Sequence, residues 1–217
     1  FLRAGIHVIC DKPVTTTLAD AERLRALARS TGRLFAVTYN YSGYPMVRHA
    51  RQMVREGALG DIRLVQVEYP KDWLTELLET TGQKQAAWRT DPARAGAGGC
   101  VGDIGTHAYQ LASFVTGLVP TQLCAELSTL VPGRALDDNV QMLLRYANGA
   151  RGMLWASQVA PGNENALRLR VYGSKGGLEW QQEHPNQLRF SPFGEAPRTL
   201  SRGTSSAGSA AARVTRL

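Results

Sequence analysis

The first forty residues contain two short apolar runs separated by one amphipathic stretch. The runs, Ile6–Cys10 and residues 34–38, have the length of short strands. Between them apolar residues recur every three or four positions, Thr17 and Asp20 match a capping box, and Gly32 follows the last turn. The pattern predicts a strand, a helix and a strand, which form the βαβ unit of a parallel sheet with helical cover.

Farther along the chain, the apolar period changes from helical to alternating. A second helix is predicted from Pro45, which suits a first turn, to the residue before Gly57. After Gly60 the pattern is typical of an antiparallel or mixed sheet, and Asn148-Gly149 is a strong hairpin signal. The predicted strands cover residues 62–69, 123–131, 140–146, 151–159, 167–172, 178–180 and 188–190.

Three further segments complete the predicted organisation. Residues 70–100 are irregular and predict a long loop, which in a compact domain is usually functional or disordered. A helix is predicted from Asp103 to Thr116, with Gly117 after it. Residues 201–217 are rich in Ser, Ala and Gly and have little to bury. This composition predicts that residues 196–217 form a disordered tail, or a segment separated from its packing partner.

Composition narrows the class of protein. Hydrophobic residues make up 43% and charged residues 20%, as in soluble globular proteins, and no apolar run approaches the roughly 20 residues of a membrane span. Four charges of the net +7 are arginines after position 195, and no basic cluster with interleaved aromatics indicates a nucleic-acid partner. Cys10, Cys100 and Cys124 are odd in number and far apart, which predicts reduced thiols in the cytoplasm and neither a disulfide framework nor a metal site.

Asp11-Lys12-Pro13 follows the first predicted strand directly. In open α/β sheets, ligands bind beyond the carboxyl ends of the strands, so Lys12 is placed where it can reach a substrate oxygen. The alternative is a solvated lysine in a turn before a helix, and position alone favours that alternative.

A glycine-rich run, residues 96–102, precedes Asp103 and His107. The glycines allow close approach of the backbone to a ligand, and residues four apart share a helix face. The alternative is that Asp103 caps a helix and His107 lies on its surface. Two metal ligands are a third interpretation, but no third ligand is placed nearby in the sequence.

Trp88-Arg89 stands just before the glycines. An arginine can hold a polar substrate and a tryptophan can stack on a sugar face, although Trp88 equally suits a hydrophobic core.

These segments resemble one family of oxidoreductases. GIHVICDKP, residues 5–13, resembles the G-x-H-V-x-x-E-K-P segment of the Gfo/Idh/MocA family, with Asp11 in place of the usual Glu. The glycine run followed by Asp103-Ile104-Gly105-Thr106-His107 resembles its G-G-G-x-x-x-D-x-G-x-H motif. Weaker matches, over a resemblance that reaches about residue 190, are Tyr39-Asn40-Tyr41 (with Tyr41 where arginine is frequent), Trp88-Arg89 and Tyr172–Gly177.

The resemblance implies an α/β fold combined with an α+β part. Residues 1–40 are expected to be the remnant of a Rossmann NAD(P)-binding domain. Residues 41–195 are expected to form an α/β domain with an open, mostly antiparallel sheet, used for substrate binding and oligomerisation. Residues 196–217 then form the disordered tail.

The phosphate-binding G-x-G-x-x-G of that family is not found at the start of a βαβ unit in this sequence. We therefore expect the family's N-terminal part and its closing helix to be missing from these 217 residues, and we expect the chain by itself to bind a dinucleotide weakly. The first strand then lacks its usual neighbour. Ile6, Val8 and Ile9 are predicted to form an exposed apolar edge, to find a different partner or to be locally disordered.

The resemblance also implies a chemistry, the reversible oxidation of a secondary alcohol on a sugar or cyclitol with NAD or NADP. His107 is expected to be the base and Asp103 to orient it or to bind a second hydroxyl. Lys12 is expected to stabilise the developing alkoxide and, with Pro13, to contact the cofactor. The weaker substrate-binding candidates are Asn40, Trp88 and Arg89.

Two features of the assembled protein also follow from the resemblance. A homo-oligomer through the C-terminal sheet is expected, with a small molecule as the other partner. The rival hypothesis is a non-catalytic sugar-binding or oligomerisation module that kept the motif residues.

Overall fold

The computed structural model describes residues 1–203 and 208–214 of the 217-residue chain. Six α-helices lie in these ranges: α1 Leu18–Thr31, α2 Pro45–Arg55, α3 Lys84–Arg89, α4 Pro92–Ala95, α5 Thr106–Thr116 and α6 Ser209–Ala212. The strands are β1 Val8–Cys10, β2 Phe35–Val37, β3 Ile62–Pro70, β4 Pro120–Ser128, β5 Asn139–Tyr146, β6 Arg151–Ser157, β7 Arg168–Gly173, β8 Gly176–Gln181, β9 Gln187–Pro192 and β10 Arg198–Ser201. None of the described helices is both long and apolar enough to cross a bilayer.

The predicted βαβ unit is confirmed. β1 and β2 are parallel and form a two-stranded sheet, joined by α1. The Thr17 side chain accepts a hydrogen bond from the backbone N–H of Asp20, and Gly32 ends the helix with a φ of 63°. Of the three residues predicted at an exposed apolar edge, Ile9 is 80% exposed and Ile6 is half exposed, whereas Val8 is partly buried.

The other eight strands form one sheet in the order β10-β9-β8-β7-β3-β6-β5-β4. The pairing of β3 with β6 is parallel and every other pairing in this sheet is antiparallel, which confirms the predicted mostly antiparallel sheet. Because β3 and β6 run side by side in the same direction, their carboxyl ends meet at one edge of the sheet. The residues that follow these two strands are therefore neighbours in space.

One face of the large sheet packs against α2 and α5, and this layer holds the core. Alternate residues of the central strands point into it, as the period of two requires, and are completely buried. The buried side chains include Val65, Val67, Leu154, Leu169, Val171, Met46, Val47, Ala50 and Leu111. The opposite face keeps apolar side chains in contact with solvent, among them Leu64, Leu143 and Met153.

The predicted loop over residues 70–100 is partly wrong, because it contains two short helices. Gln83 caps α3 by accepting the backbone N–H of Ala86, and Asp91 caps α4 by accepting that of Ala93. These side-chain caps stabilise helices too short to show an apolar period in the sequence.

The helix predicted from Asp103 also differs in its first turn. Val101–Gly105 is a π-helical turn that continues directly into α5. Single π-helical turns are rare and occur frequently at functional sites. Asp103 therefore lies in the π-helical turn, whereas His107 lies in the first turn of the α-helix.

The predicted disordered tail is wrong where the structure describes it. β10 pairs with β9, and the side chain of Ala211 in α6 is fully buried. The backbone N–H of Gly208 donates to Nδ1 of His49 on α2, at 3.1 Å. Sequence composition could not show that α2 supplies a packing partner for this segment. The rest of the predicted tail, residues 204–207 and 215–217, lies outside the described residues.

Candidate active site

A cleft of about 370 Å³ opens where the carboxyl ends of β1, β3 and β6 converge. Its polar lining includes Lys12, Tyr69, Lys71, Arg89, Asp103 and His107. Lys12 follows β1, Lys71 follows β3, and Arg89 ends α3. The cleft therefore gathers charged side chains from segments that are far apart in the sequence.

Asp103 is the centre of the charge network in the cleft. Its Oδ1 accepts from Lys12 Nζ at 2.9 Å and lies 3.3 Å from Nε of Arg89. Its Oδ2 accepts from Nε2 of Gln158 at 2.9 Å. Burial raises the pKa of Asp103, but the Lys12 and Arg89 cations outweigh burial and hold that pKa below its usual value. Asp103 is thus ionised at neutral pH, with both oxygens already engaged.

His107 lies beside this network and is 7% exposed. Its ring meets the ring of Tyr41 edge to face at 4.9 Å and that of Tyr39 at 5.7 Å between centroids. Nδ1 is buried and has no hydrogen-bond partner among the described residues, which leaves Nε2 to reach a ligand. Burial lowers the pKa of His107 to about 4, with the Lys12 charge acting in the same direction and Asp103 opposing it. The imidazole is therefore neutral at pH 7 and can accept a proton.

Tyrosines form the wall behind the imidazole. The hydroxyls of Tyr41 and Tyr69 share a hydrogen bond at 2.5 Å, and Tyr69 donates to Oδ1 of Asn165 at 2.6 Å. Burial, with the neighbouring Tyr41, raises the pKa of Tyr69, so this hydroxyl stays protonated. The tyrosines pack around His107 and present uncharged groups on this side of the imidazole.

The structure brings together some of the residues that the sequence singled out and leaves others aside. Lys12, Asp103, His107 and Arg89 all line the cleft. Three candidates do not belong to its lining: Pro13, Asn40 and Trp88. The predicted roles of all seven residues stay predictions.

The three residues outside the lining have distinct surroundings. Pro13 is half-buried next to Lys12, and Asn40 is exposed at the start of a 3₁₀ turn, Asn40–Gly43. Trp88 stacks under the guanidinium of Arg89, at 4.2 Å from the ring centroid. Trp88 therefore contacts the Arg89 side chain, which lines the cleft, and does not line the cleft itself.

Sequence reasoning missed Lys71, Tyr69 and Gln158 as site residues. Tyr69 and Lys71 lie at the end of β3, and Gln158 immediately follows β6. The signal for them was their place at strand ends, where ligands bind in α/β sheets. That signal is usable only when β3 and β6 are known to be parallel neighbours.

The glycine-rich run is held by hydrogen bonds to Asp137 and so fixes the position of Asp103. Oδ1 of Asp137 accepts the N–H of Gly99 at 2.6 Å, and Oδ2 accepts that of Val101 at 2.8 Å. The N–H of Cys100 donates to the backbone carbonyl of Asp137 at 2.7 Å. The close approach that Gly99 permits is thus to the backbone of Asp137, and this contact fixes the π-helical turn that carries Asp103.

A glycine substitution tests this support. A Cβ on residue 99 would meet the carbonyl oxygen of Asp137 at 2.3 Å, whereas a Cβ on Gly102 would meet nothing within 4 Å. Gly99→Ala is expected to lower the free energy of unfolding by about 1–3 kcal/mol, because the loop must move. Gly102→Ala, in the same run, is expected to keep this free energy or to raise it by up to about 1 kcal/mol, because residue 102 is helical and alanine favours a helix over glycine. Urea unfolding measures the free energy for both variants. An equal change in the two would contradict the close contact of Gly99 with the backbone of Asp137.

Two family models match the chain, and the two matched ranges together contain the residues that line the cleft. Residues 1–39 match a model described as the oxidoreductase family with an NAD-binding Rossmann fold. Residues 47–179 match the C-terminal domain of the GFO/IDH/MocA family. Lys12 lies in the first range, and Asp103 and His107 lie in the second.

Individual relatives are similar over nearly the whole chain. The uncharacterized oxidoreductase YfiI of Bacillus subtilis is 37% identical over 207 residues, which are 93% of this chain and 52% of that protein. An oxidoreductase from Sinorhizobium meliloti has a crystal structure with 52% identity and a TM-score of 0.88, and the match covers 100% of this chain and 56% of that one.

A third relative was crystallised with ligands. It is an inositol dehydrogenase homolog from Azotobacter vinelandii, complexed with NADH and myo-inositol. It has 36% identity and a TM-score of 0.88, and the match covers 97% of this chain and 53% of that one. The chain thus spans about half the length of the relatives it matches.

Proposed function

Because this chain belongs to the Gfo/Idh/MocA family of oxidoreductases, we propose that the protein carrying it oxidises a secondary alcohol of a sugar or cyclitol with NAD or NADP. One observation carries the proposal, namely the Lys12–Asp103 ion pair beside a neutral, buried His107 in a single cleft. A base and a cation next to each other are what the removal of a hydroxyl proton requires.

Each of the three residues then has a definite role. His107 takes the hydroxyl proton of the substrate through Nε2, the nitrogen that is left to reach a ligand. Lys12 donates a hydrogen bond to the reacting oxygen and stabilises the negative charge that develops there. Asp103 holds Lys12 in position, since its two oxygens are engaged by Lys12, Arg89 and Gln158.

The residues present fit the nicotinamide end of a dinucleotide. Lys12 and Pro13 follow the carboxyl end of β1, where α/β sheets bind ligands, and the Lys12 side chain lines the same cleft as His107. When bound, NAD or NADP supplies the acceptor for the hydride that leaves the carbinol carbon. The family is NAD-binding, and a structural relative was crystallised with NADH and myo-inositol.

The experiment for this proposal is an assay of the natural polypeptide that contains residues 1–217. Reduction of NAD⁺ or NADP⁺ is followed with myo-inositol, other cyclitols and a panel of sugars as substrates. Substrate-dependent reduction of either cofactor is the expected result. Binding of a polyol without reduction of either cofactor would instead favour the non-catalytic sugar-binding module.

The pH dependence of this activity follows from the pKa of His107. Since that pKa is lowered from about 6.5 to about 4, the imidazole stays unprotonated until the pH falls to about 4. The acid limb of kcat/KM for alcohol oxidation is therefore expected near pH 4. NMR titration of the four histidines, with His107→Asn to assign the signal, gives the same pKa without any activity. An acid limb and a His107 titration near 6.5 would contradict the buried, neutral base.

Self-association and cellular location also belong to the proposal. The face of the large sheet opposite α2 and α5 exposes Leu64, Leu143 and Met153, which suits a homo-oligomer formed through this sheet. All three cysteines are free, which is consistent with a reducing cytoplasm. The division into domains at residues 40 and 41 is retained as a prediction.

A further inference from the structure

The charges in the cleft do not balance. Lys12, Lys71 and Arg89 are cations, and Asp103 is the sole carboxylate among the described residues that line the cleft. Asp103 lies within ion-pair distance of Lys12 and Arg89, and this leaves an excess of two positive charges. One of these is used when Lys12 stabilises the negative charge that develops on the reacting oxygen.

Lys71 is the cation without a partner. Over residues 1–203 and 208–214, the Nζ of Lys71 has neither a hydrogen bond nor a carboxylate within 4.0 Å. This Nζ lies over the ring of Tyr69, 5.8 Å from the ring centroid. The side chain is only partly exposed. Burial lowers the pKa of Lys71, and the charges of Lys12 and Arg89 add to this, although the charges of Asp103 and Asp72 oppose it. A partly buried ammonium without an anion is unfavourable unless a ligand supplies one.

The backbone holds Lys71 in a fixed place. Its N–H donates to the carbonyl of Ser157 at 2.7 Å, and its carbonyl accepts from the N–H of Ala160 at 2.9 Å. These bonds extend the β3–β6 pairing by one residue. Lys71 therefore projects from a rigid strand end into the cleft that also holds Lys12 and His107.

We propose that Lys71 binds a carboxylate of the substrate, so that the site takes sugar acids, polyhydroxy acids whose carboxylate lies apart from the carbinol that is oxidised. This proposal rests on the proposed function of the same cleft. A carboxylate fits better than a phosphate, because a single ammonium remains unpaired and phosphate sites usually combine several donors. Lys71 then pairs with the permanent negative charge of the substrate carboxylate. Lys12 stabilises the negative charge that develops on the reacting oxygen during the reaction.

The test uses pairs of ligands that differ in one carboxylate. Glucose and glucuronate form one pair, and galactose and galacturonate form another. Their dissociation constants are measured by calorimetry on the natural polypeptide saturated with NADH, so that no turnover is needed. In at least one pair the acid is expected to bind at least about tenfold more tightly than the neutral sugar, the size of one charge-assisted hydrogen bond.

Variants of Lys71 assign the preference to this residue. Lys71→Met is expected to abolish the preference for the acid while the affinity for the neutral sugar changes less than about threefold, and Lys71→Glu is expected to reverse it. The control is Lys84→Met, which removes the same charge from an exposed residue of α3 near the cleft and should keep the preference.

The proposal is overturned if the wild-type protein binds acid and neutral sugar equally, prefers the neutral sugar or binds neither acid. It is also overturned if Lys71→Met keeps the preference, or if Lys84→Met removes it as well. Failure of the proposed function is read separately, from the absence of NAD(P)⁺ reduction with every alcohol. An enzyme that oxidises neutral polyols but shows no preference for acids would refute the role of Lys71 alone.

Discussion

Replacing His107 by asparagine is expected to lower kcat for alcohol oxidation by a factor on the order of 10²–10⁴, the contribution of a well-placed general base. Asparagine is close in size to histidine and is polar, so it fits a position that is 7% exposed between tyrosine rings. It cannot accept the hydroxyl proton at neutral pH. The loss should appear in kcat, because the affinity for NADH and the free energy of unfolding depend little on this nitrogen.

The matched control for this variant is His184→Asn. His184 is an exposed histidine in the turn between β8 and β9, and it does not line the cleft. The control is expected to keep the turnover of the natural polypeptide. If His107→Asn turned over at the wild-type rate, His107 would not be the base and the ion pair of Lys12 with Asp103 would need another proton acceptor. A variant that had lost its fold would be recognised by its unfolding curve.

The second large effect is expected for stability, at Arg134. The Arg134 side chain is 1% exposed and pairs with Oδ2 of Asp138 at 3.1 Å and with Oε1 of Glu79 at 2.9 Å. Arg134→Met keeps much of the volume but leaves the fully buried Asp138 carboxylate without its cation. Removing one partner of a buried ion pair costs about 3–5 kcal/mol, and we expect a loss of this size in urea unfolding.

The arginine matters to the site as well as to the fold. Asp138 also accepts the backbone N–H groups of Leu130 and Val131, so it organises the loop between β4 and β5. The next residue toward β4, Asp137, is the one that anchors Gly99 and the turn carrying Asp103. A disturbed loop is therefore expected to loosen the active-site turn and to reduce activity together with stability.

Two comparisons make the Arg134 result interpretable. Arg145→Met removes an exposed arginine from β5 and is expected to cost less than about 0.5 kcal/mol. Arg134→Met combined with Asp138→Asn removes the uncompensated carboxylate and should regain part of the lost stability. A loss below about 1 kcal/mol in the single variant would show that the pair is not buried as the structure has it.

Much of the local structure could be predicted from the chain itself. The helix α1 follows from its apolar period and from the Thr17 cap, and the β5–β6 hairpin follows from Asn148-Gly149. These signals lie within a few residues of the structure they specify. The helix α6 was missed because it is held by packing on α2, which lies far away in the sequence. The strand β10 pairs with the adjacent β9 and was missed because its segment shows little to bury.

The site divides in the same way. Two sequence motifs singled out Lys12, Asp103 and His107, and the spacing of the latter two placed them on one face of a predicted helix. Only the tertiary structure decided that Lys12 and Asp103, 91 residues apart, form an ion pair. It also decided that Asp103 belongs to a π-helical turn held by Asp137.

The sequence by itself therefore determined α1, α2, most of the strands and the motif residues, because each follows from short-range periodicity or from a contiguous motif. The family resemblance implied the mostly antiparallel sheet. The tertiary structure alone decided the parallel pairing of β3 with β6, and with it the place of Lys71 in the cleft and of Gln158 beside Asp103. The physical reason is that strand order depends on which apolar faces pack together across the whole chain, and no local pattern encodes that choice.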